Sequence, residues 1–317
     1  MSLWLQILTF FADLVLPIVA GYWLSRQTEL SADRLDPLMR LGIVTAAPAL
    51  TLLTFWGVTL TPRLAWLPVL GILMLVLPGL LSLFTARFKT DHGPLERGSY
   101  VLTTMLANRG VVGGLATYIL FGEQGYAWSR LVVVFGPIIV FFVGFPLAGR
   151  YYQQHAGTAG TRGSLRRLIF SPNQMPVVGI IAGLALNLLR VDRPEAAAQA
   201  IPVLVHVVAW MLLLPTGAGL RLKALRRYVK DLPDVLVIKF VLNPLLIGIL
   251  AWALGFRGHL WATLVLLAAS PAAIFTVVVA RAQGLNTNMA MAGFVVTTVV
   301  YLVVVFPAFL IATALFG

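Results

Sequence analysis

Residues 107–114 read "ANRGVVGG" and place an amide beside a guanidinium within an otherwise apolar segment. Asn108 can donate and accept hydrogen bonds, and Arg109 offers a planar fork of donors that fits a carboxylate. The glycines that follow each lower helix stability by about 1 kcal/mol relative to alanine. These glycines are Gly110, Gly113 and Gly114. We therefore expect an opened helix whose free N–H groups and positive charge could bind an anion.

A second polar break lies in "ASPAA", residues 269–273. Pro271 lacks an N–H donor and clashes with the preceding turn, so it interrupts or kinks a helix. Ser270 adds a hydroxyl at the same point. Non-helical backbone at membrane depth persists only where protein buries it or where it lines a wet cavity. The two breaks together predict a substrate site, although glycines alone can serve close helix packing and Arg109 alone could be a structural counter-ion.

Asp13, His206 and Lys239 are further ionisable residues that lie inside predicted membrane spans rather than at the span ends. Asp13 is the only carboxylate among them, and it could carry protons or belong to a structural ion pair. Lys239 is one conceivable partner, although it lies close enough to the end of its span for its amine to reach the interface instead. His206 is alone in its span, and we predict a structural role for it.

The composition is that of a protein that crosses a membrane several times. Of its 317 residues, 60% are hydrophobic and 11% are charged, with a mean hydropathy of +0.93; soluble domains carry about 25% charged residues. The net charge of +12 lies in short loops and forms no basic face, which argues against nucleic acid as a partner. The sequence has no cysteine and no P-loop, GxSxG or HExxH motif. We expect no enzymatic activity, no cofactor and no metal site.

A bilayer core of about 30 Å needs about 20 apolar residues per helix, and ten segments qualify. Sixteen of the 23 lysines and arginines lie in loops after odd-numbered helices, and five lie in the other loops. The odd loops are therefore predicted to be cytoplasmic, with both termini outside a bacterial-type inner membrane. The predicted spans are 3–24, 36–57, 64–86, 99–121, 128–149, 172–190, 199–221, 233–254, 260–281 and 288–315.

The Gly/Ser/Thr-rich loop at 151–171 predicts a flexible cytoplasmic linker that divides the helices into five plus five. Because five is odd, a repeat of the first half in the second must be inverted, as in many secondary transporters. Weak internal similarity favours such a repeat. An offset of 162 relates Asn108 to Ser270 and Gly122 to Gly284, and an offset of 161 relates Phe145-Pro146 to Phe306-Pro307.

The two breaks are also predicted to lie at similar depths in the bilayer. Predicted helix 4 begins near Ser99, so Asn108 and Arg109 lie roughly 15 Å into the bilayer, close to its midplane. Ser270 lies at a similar depth in predicted helix 9, which enters from the other side. We therefore predict an all-α polytopic membrane protein. Its ten transmembrane helices form a 5+5 inverted repeat, with broken, crossing helices 4 and 9.

Several motifs resemble those of the auxin efflux carrier family, which includes plant PIN-type carriers and bacterial malonate- and malate-type permeases. The bile acid/sodium symporters are related to it. The resemblance covers nearly the whole chain and depends on the order of "LPIVAGYWLSR" (16–26), "APAL" (47–50), "NRGVVGG" (108–114), "LPTGAGLRL" (214–222) and "ASPAAIFTVVVARAQGLN" (269–286). Leu115 stands where the family pattern has proline, so the break in helix 4 would depend on glycine. Arg109 is not expected throughout the family.

The resemblance implies a scaffold that forms a homodimer and a transport domain that moves as an elevator. The scaffold would contain residues 1–60 and 172–224, and the transport domain residues 61–150 and 225–317, with 151–171 as the linker. Around the ligand the resemblance would place Asn108, Gly110, Ser270 and Pro271.

These features predict a secondary transporter of a small organic anion, with a carboxylate favoured. Asn108 and Ser270 would hydrogen-bond the substrate, Arg109 would pair with its charge, and Pro271 would keep helix 9 open. Two alternatives stay open: a sodium-coupled symporter of larger amphipathic anions, against which the scarcity of acidic ligands argues, and a non-transporting sensor or channel on the same frame. The expected partners are the anion, the lipid bilayer and a second copy of the chain.

Overall fold

The computed structural model describes residues 3–27, 32–89, 91–156, 175–220 and 225–316, and every regular element within these ranges is a helix. In these ranges, six helical stretches are long and apolar enough to cross a membrane. The described part is therefore all-helical, and the protein is a multi-pass membrane protein. These stretches are Leu8–Gln27, Arg34–Trp56, Pro62–Phe88, Glu195–Ala218, Pro233–Ala253 and Thr287–Ala314.

The remaining predicted spans contain shorter helices. Three of them, 99–121, 128–149 and 260–281, consist of helical pieces separated by π-helical or non-helical residues. The fourth, 172–190, contains the short apolar helix Met175–Leu188.

Within the described ranges, the α-helices are numbered here in chain order. They are α1 (Leu3–Gln27), α2 (Ala32–Leu41), α3 (Ala47–Trp56), α4 (Trp66–Thr85), α5 (Pro94–Met105), α6 (Gly114–Val133), α7 (Gly136–Ile139), α8 (Phe145–Ala156), α9 (Met175–Leu188), α10 (Glu195–Ala218), α11 (Pro233–Val237), α12 (Asn243–Ala253), α13 (Gly258–Ala268), α14 (Phe275–Ala282), α15 (Thr287–Val300) and α16 (Phe306–Phe316). Wider π-helical turns, a feature frequent at functional sites, join or precede some of these helices. They are Gly42–Ala46, Arg109–Gly113, Val140–Gly144, Ile238–Leu242 and Tyr301–Val305.

The chain divides into two compact units. The first comprises the described parts of Met1–Leu64, Gly114–Arg130 and Arg166–Leu220. In it, α1 packs on α10 and α3 packs on α9. Glycines allow both pairs to approach closely, because a Cβ at Gly21 or Gly217, or at Gly179 or Gly183, would overlap a backbone carbonyl of the partner helix. Small residues at helix contacts are the usual solution inside a bilayer, where lipid is as apolar as leucine.

The second unit comprises the described parts of Ala65–Gly113, Leu131–Leu165 and Arg221–Gly317. A polar cluster ties several of its helix ends together. Lys89 Nζ lies 3.1 Å from Asp234 Oδ2, and the Tyr100 hydroxyl donates to the same oxygen at 2.5 Å. Asn286 Nδ2 donates to the Tyr228 hydroxyl at 2.8 Å. Asn286 Nδ2 also donates to Glu96 Oε1 at 3.4 Å, so these contacts link α5 to the first residues of α11 and to the N-terminus of α15.

Two local conformations recur at the positions that the sequence offsets relate. Gly122 and Gly284 both have a positive φ, of 64° and 69°, which favours glycine at both positions. The π-helical turns Val140–Gly144 and Tyr301–Val305 each end directly before a Phe-Pro pair. The backbone thus repeats at the spacing of the weak sequence similarity.

The units group one stretch differently from the predicted domains, which assigned all of 61–150 to one domain. Residues 114–130 belong to the first unit. The physical reason is an ion pair between Glu123 and Arg193, whose guanidinium also donates to the Leu53 carbonyl at 3.0 Å. Of the predicted linker 151–171, the first residues are helical, since α8 extends to Ala156, and residues 157–171 lie outside the described part of the chain.

Candidate functional site

Two interrupted helices of the second unit meet at their breaks. The first, α5, ends at Met105, and the second, α13, ends at Ala268. The extended residues that follow pair in an isolated antiparallel bridge between Ala107 and Ala272. Its hydrogen bonds run from Asn108 N to the Pro271 carbonyl at 2.7 Å and from Ala273 N to the Leu106 carbonyl at 3.1 Å. Backbone groups that the helices leave open are thus partly satisfied by each other, as burial at this depth requires.

The break after α5 precedes the glycines that were expected to cause it. Leu106 is extended, with φ −84° and ψ 128°, whereas Gly113 is helical, with φ −63° and ψ −43°. Arg109–Gly113 forms a π-helical turn that leads into α6. The expectation that Gly113 and Gly114 open the helix is therefore wrong. The pairing of Leu106 and Asn108 with the other break, 165 or so positions along the chain, holds the helix open instead.

The glycines have steric roles that differ from one to the next. A Cβ at Gly113 would lie 2.9 Å from both Leu267 Cδ2 and Ser270 Oγ, so only glycine allows this close approach. A Cβ at Gly114 would overlap the Arg130 guanidinium, whereas one at Gly110 would meet no atom within 4 Å. Gly113 therefore brings its turn against the serine of the second break.

One helix braces both breaks. Lys239, in the π-helical turn Ile238–Leu242, donates from Nζ to the Leu106 carbonyl at 3.0 Å. Asn243, at the start of α12, donates from Nδ2 to the Ala268 carbonyl at 2.8 Å. The C-terminal carbonyls of a helix have no partner within it, and here two side chains four residues apart satisfy one at each interrupted helix.

Two buried basic side chains lie in this region of the second unit. The side chain of Arg109 is 3% exposed, and its guanidinium donates to the Gly71 carbonyl of α4 at 3.3 Å. Lys239 is 2% exposed. Its amine lies close enough to the Arg109 guanidinium for positive charges on the two groups to repel each other. Neither has a carboxylate partner among the described residues. A buried charge without an opposite charge is costly, so this arrangement suits an anion.

Several buried side-chain oxygens near the breaks lack a hydrogen-bond partner among the described residues. They are Thr103 Oγ1, Asn243 Oδ1, Ser270 Oγ and Thr276 Oγ1. By contrast, Thr297 of α15 accepts a hydrogen bond from Ala272 N at 2.9 Å. Because buried polar atoms in folded proteins are nearly always paired, the four oxygens could accept or donate to water or to a ligand.

Asp13, which we expected either to carry protons or to belong to a structural ion pair, lies in the first unit. Asp13 of α1 is buried and contacts His206 Nδ1, and it also accepts from Trp210 Nε1 at 3.3 Å. Both partners belong to α10. We expected His206 to be alone in its span, but it is paired with Asp13. Lys239 was the conceivable partner of Asp13, but its amine bonds to Leu106 in the second unit. The two residues therefore belong to separate polar groups.

Sequence reasoning did not identify Asn243, Thr103 or Thr297 as site residues. Asn243 did carry a usable signal, because it is an amide inside an apolar span, four residues after Lys239 on the same helix. The two threonines carried none, because threonines are common in membrane helices and their positions match no motif. No group of three or more His, Cys, Asp or Glu side chains in the described ranges could hold a metal ion.

Comparison with known proteins shows similarity to a family of membrane transport proteins and to a protein described as a transporter. The model of the family described as membrane transport protein matches residues 158–308, a range that includes Lys239, Asn243, Ser270 and Pro271. The chain is also similar to a protein described as an uncharacterized transporter from Methanothermobacter thermautotrophicus (strain Delta H). The two are 24% identical over 288 residues, which cover 90% of this chain and 92% of that protein.

Proposed function

Because the chain belongs to the membrane transport protein family, we propose that it is a secondary transporter of a small organic anion, with carboxylates as the favoured class. One observation carries the choice of an anion. Arg109 and Lys239 are buried beside the paired breaks, and each donates to a backbone carbonyl rather than to a carboxylate. An anion that enters this region would offset the electrostatic cost of both charges.

In this proposal the ligand binds along the two breaks. Asn108 and Ser270 provide polar side chains, and Gly110, Gly113 and Pro271 shape the backbone around them. Ser270 Oγ has no partner among the described residues, which supports a role in binding. Gly114 faces Arg130 in the first unit, so its part in binding is indirect. Arg109 would reach the anion with the guanidinium N–H groups that the Gly71 carbonyl leaves unused, and its planar fork suits a carboxylate.

The finer features of the transporter are proposals of the same kind. The positive φ that Gly122 and Gly284 share at the spacing of the sequence similarity supports a 5+5 inverted repeat, with which crossing helices 4 and 9 would be consistent. The division into two units supports an elevator mechanism, in which a scaffold that forms a homodimer holds a moving transport domain. The biased distribution of lysine and arginine supports an inner-membrane orientation with both termini outside. Asp13, now paired with His206, is the candidate for proton coupling.

The test is uptake and counterflow in proteoliposomes that contain the purified protein. We expect saturable counterflow of at least one small carboxylate and none of the corresponding neutral amide. A variant Arg109→Ala should lose at least about tenfold in uptake, because a charge-assisted hydrogen bond contributes about 1.5–3 kcal/mol. Arg226→Ala, at an exposed position, is the matched control and should transport like the wild type.

Two results would contradict the proposal. The first is unchanged uptake of every carboxylate by Arg109→Ala, which would remove the anion site. The second is a single-channel current without saturable counterflow, which would make the protein a pore.

A further inference from the structure

The end of α5 is a place where a membrane transporter can hold a cation. Leu106 caps this helix in an extended conformation, and its carbonyl accepts a hydrogen bond from Ala273 N of the other break. A helix C-terminus carries a partial negative charge. In transporters with interrupted helices, such ends and the unwound carbonyls beside them coordinate the coupling cation.

This position is filled by a side chain of the protein itself. Lys239 Nζ donates to the Leu106 carbonyl at 3.0 Å, and the lysine is buried, with 2% of its surface exposed. The carbonyl therefore has two donors, the amine and the Ala273 N–H at 3.1 Å. A lysine amine at a helix C-terminus is favourable in its charged form, whereas burial alone disfavours that form.

The other interrupted helix is treated differently. At the end of α13, the Ala268 carbonyl accepts from Asn243, a neutral amide. Asn243 and Lys239 lie on the same helix, four residues apart, and perform the same geometric task. Only the end of α5 thus receives an ionisable donor. The end of α13, with its neutral donor, is an internal comparison for it.

We propose that the ammonium of Lys239 is a built-in cation that takes the place of a coupling sodium ion at the end of α5. The protein then binds its anion without sodium, because the positive charge that sodium would bring is already present. This inference rests on the proposed transport function, because only a transporter has a coupling ion. The cation site itself is a property of the folded protein and can be measured without transport.

The experiment measures the apparent melting temperature of the detergent-purified protein in sodium chloride and in choline chloride of equal concentration. The wild type should melt at the same temperature in both salts. Lys239→Ala leaves a small vacancy beside the Leu106 carbonyl, so it should melt lower in choline and recover by at least about 2 °C in sodium. Lys239→Met fills the space without a charge and should show no recovery.

Two controls keep the test decisive. Asn243→Ala removes the neutral donor at the other end, so it should lose stability equally in both salts. If Lys239→Ala cannot be purified, Lys239→Ser replaces it, because serine also leaves space beside the Leu106 carbonyl, and sodium should stabilise it. Sodium stabilisation of the wild type would overturn the proposal, and so would a folded Lys239→Ala or its replacement Lys239→Ser that does not respond to sodium.

The outcome is independent of whether the protein transports anions. If the melting temperatures follow the expectation but no carboxylate is transported, the proposed function fails and the built-in cation stands. If carboxylate uptake is observed but requires sodium, the transporter stands and the built-in cation fails.

Discussion

Lys239 and Asn243 lie four residues apart on one helix, and each donates to a C-terminal carbonyl of a different interrupted helix. Through these two hydrogen bonds, the segment Pro233–Ala253 holds the ends of α5 and α13 beside the Ala107–Ala272 bridge. The open backbone of both helices is therefore supported by a continuous helix, which keeps the break ordered without closing it.

Replacement of Asn243 by leucine should destabilise the second unit. The Ala268 carbonyl would lose its donor in a buried place, which costs about 1–3 kcal/mol. Thermal unfolding in detergent measures the change. Asn288→Ala, at an exposed position of α15, is the control and should shift stability by no more than about 0.5 kcal/mol. Equal stability of the two variants would show that the Asn243 bond is not needed.

Gly113→Ala should disturb the contact between the π-helical turn and the second break. The new methyl would lie 2.9 Å from Leu267 Cδ2 and Ser270 Oγ, closer than such atoms pack. Overpacking of this kind costs about 1–3 kcal/mol, and uptake should fall because Ser270 must move. For stability, Gly110→Ala is a matched control, since its methyl meets no atom within 4 Å. Wild-type stability and uptake in Gly113→Ala would mean that the neighbours relax freely.

Asp13 and His206 should be energetically coupled. Loss of either partner, in Asp13→Asn or His206→Gln, should lower the free energy of unfolding by about 1–2 kcal/mol, a value kept modest because the His206 side chain is 38% exposed. The double variant should lose less than the sum, with a coupling of at least about 0.5 kcal/mol. A double-mutant cycle from thermal or denaturant unfolding measures this coupling, and strict additivity would argue against the pair.

The same variants test proton coupling. If Asp13 carries protons, uptake driven by an imposed pH gradient should fall in Asp13→Asn, while counterflow without a gradient should persist. Equal gradient-driven uptake in Asp13→Asn and the wild type would assign Asp13 a structural role only.

Arg193 should anchor residues 114–130 within the first unit. Arg193→Ala removes the donor to the Leu53 carbonyl and the partner of the partly buried Glu123, so stability should fall by about 1–3 kcal/mol. Arg193→Lys keeps the charge but loses the bidentate fork, so it should be intermediate. The measurement is thermal unfolding of the three proteins side by side. A lysine variant no more stable than the alanine variant would show that geometry, not charge, dominates.

The sequence by itself determined what depends on each residue and its close neighbours. The long apolar segments, the scarcity of charge and the helix-breaking proline Pro271 follow from transfer of side chains to lipid and from local backbone sterics. These properties predicted an all-helical membrane protein, polar interruptions in predicted helices 4 and 9, and a resemblance to a transport family. Gly122 and Gly284, found through their spacing, also share a positive φ.

Only the tertiary structure decided how the polar groups pair. The break after α5 lies at Leu106 rather than at the glycines. The reason is that the Leu106 carbonyl and the Asn108 N–H bond to the backbone of the other break instead of continuing the helix. Asp13 lies with His206 rather than Lys239, and Asn243 satisfies a carbonyl at the end of α13. Such choices depend on which buried donors and acceptors come within about 3 Å of each other after folding, a property that no single segment contains.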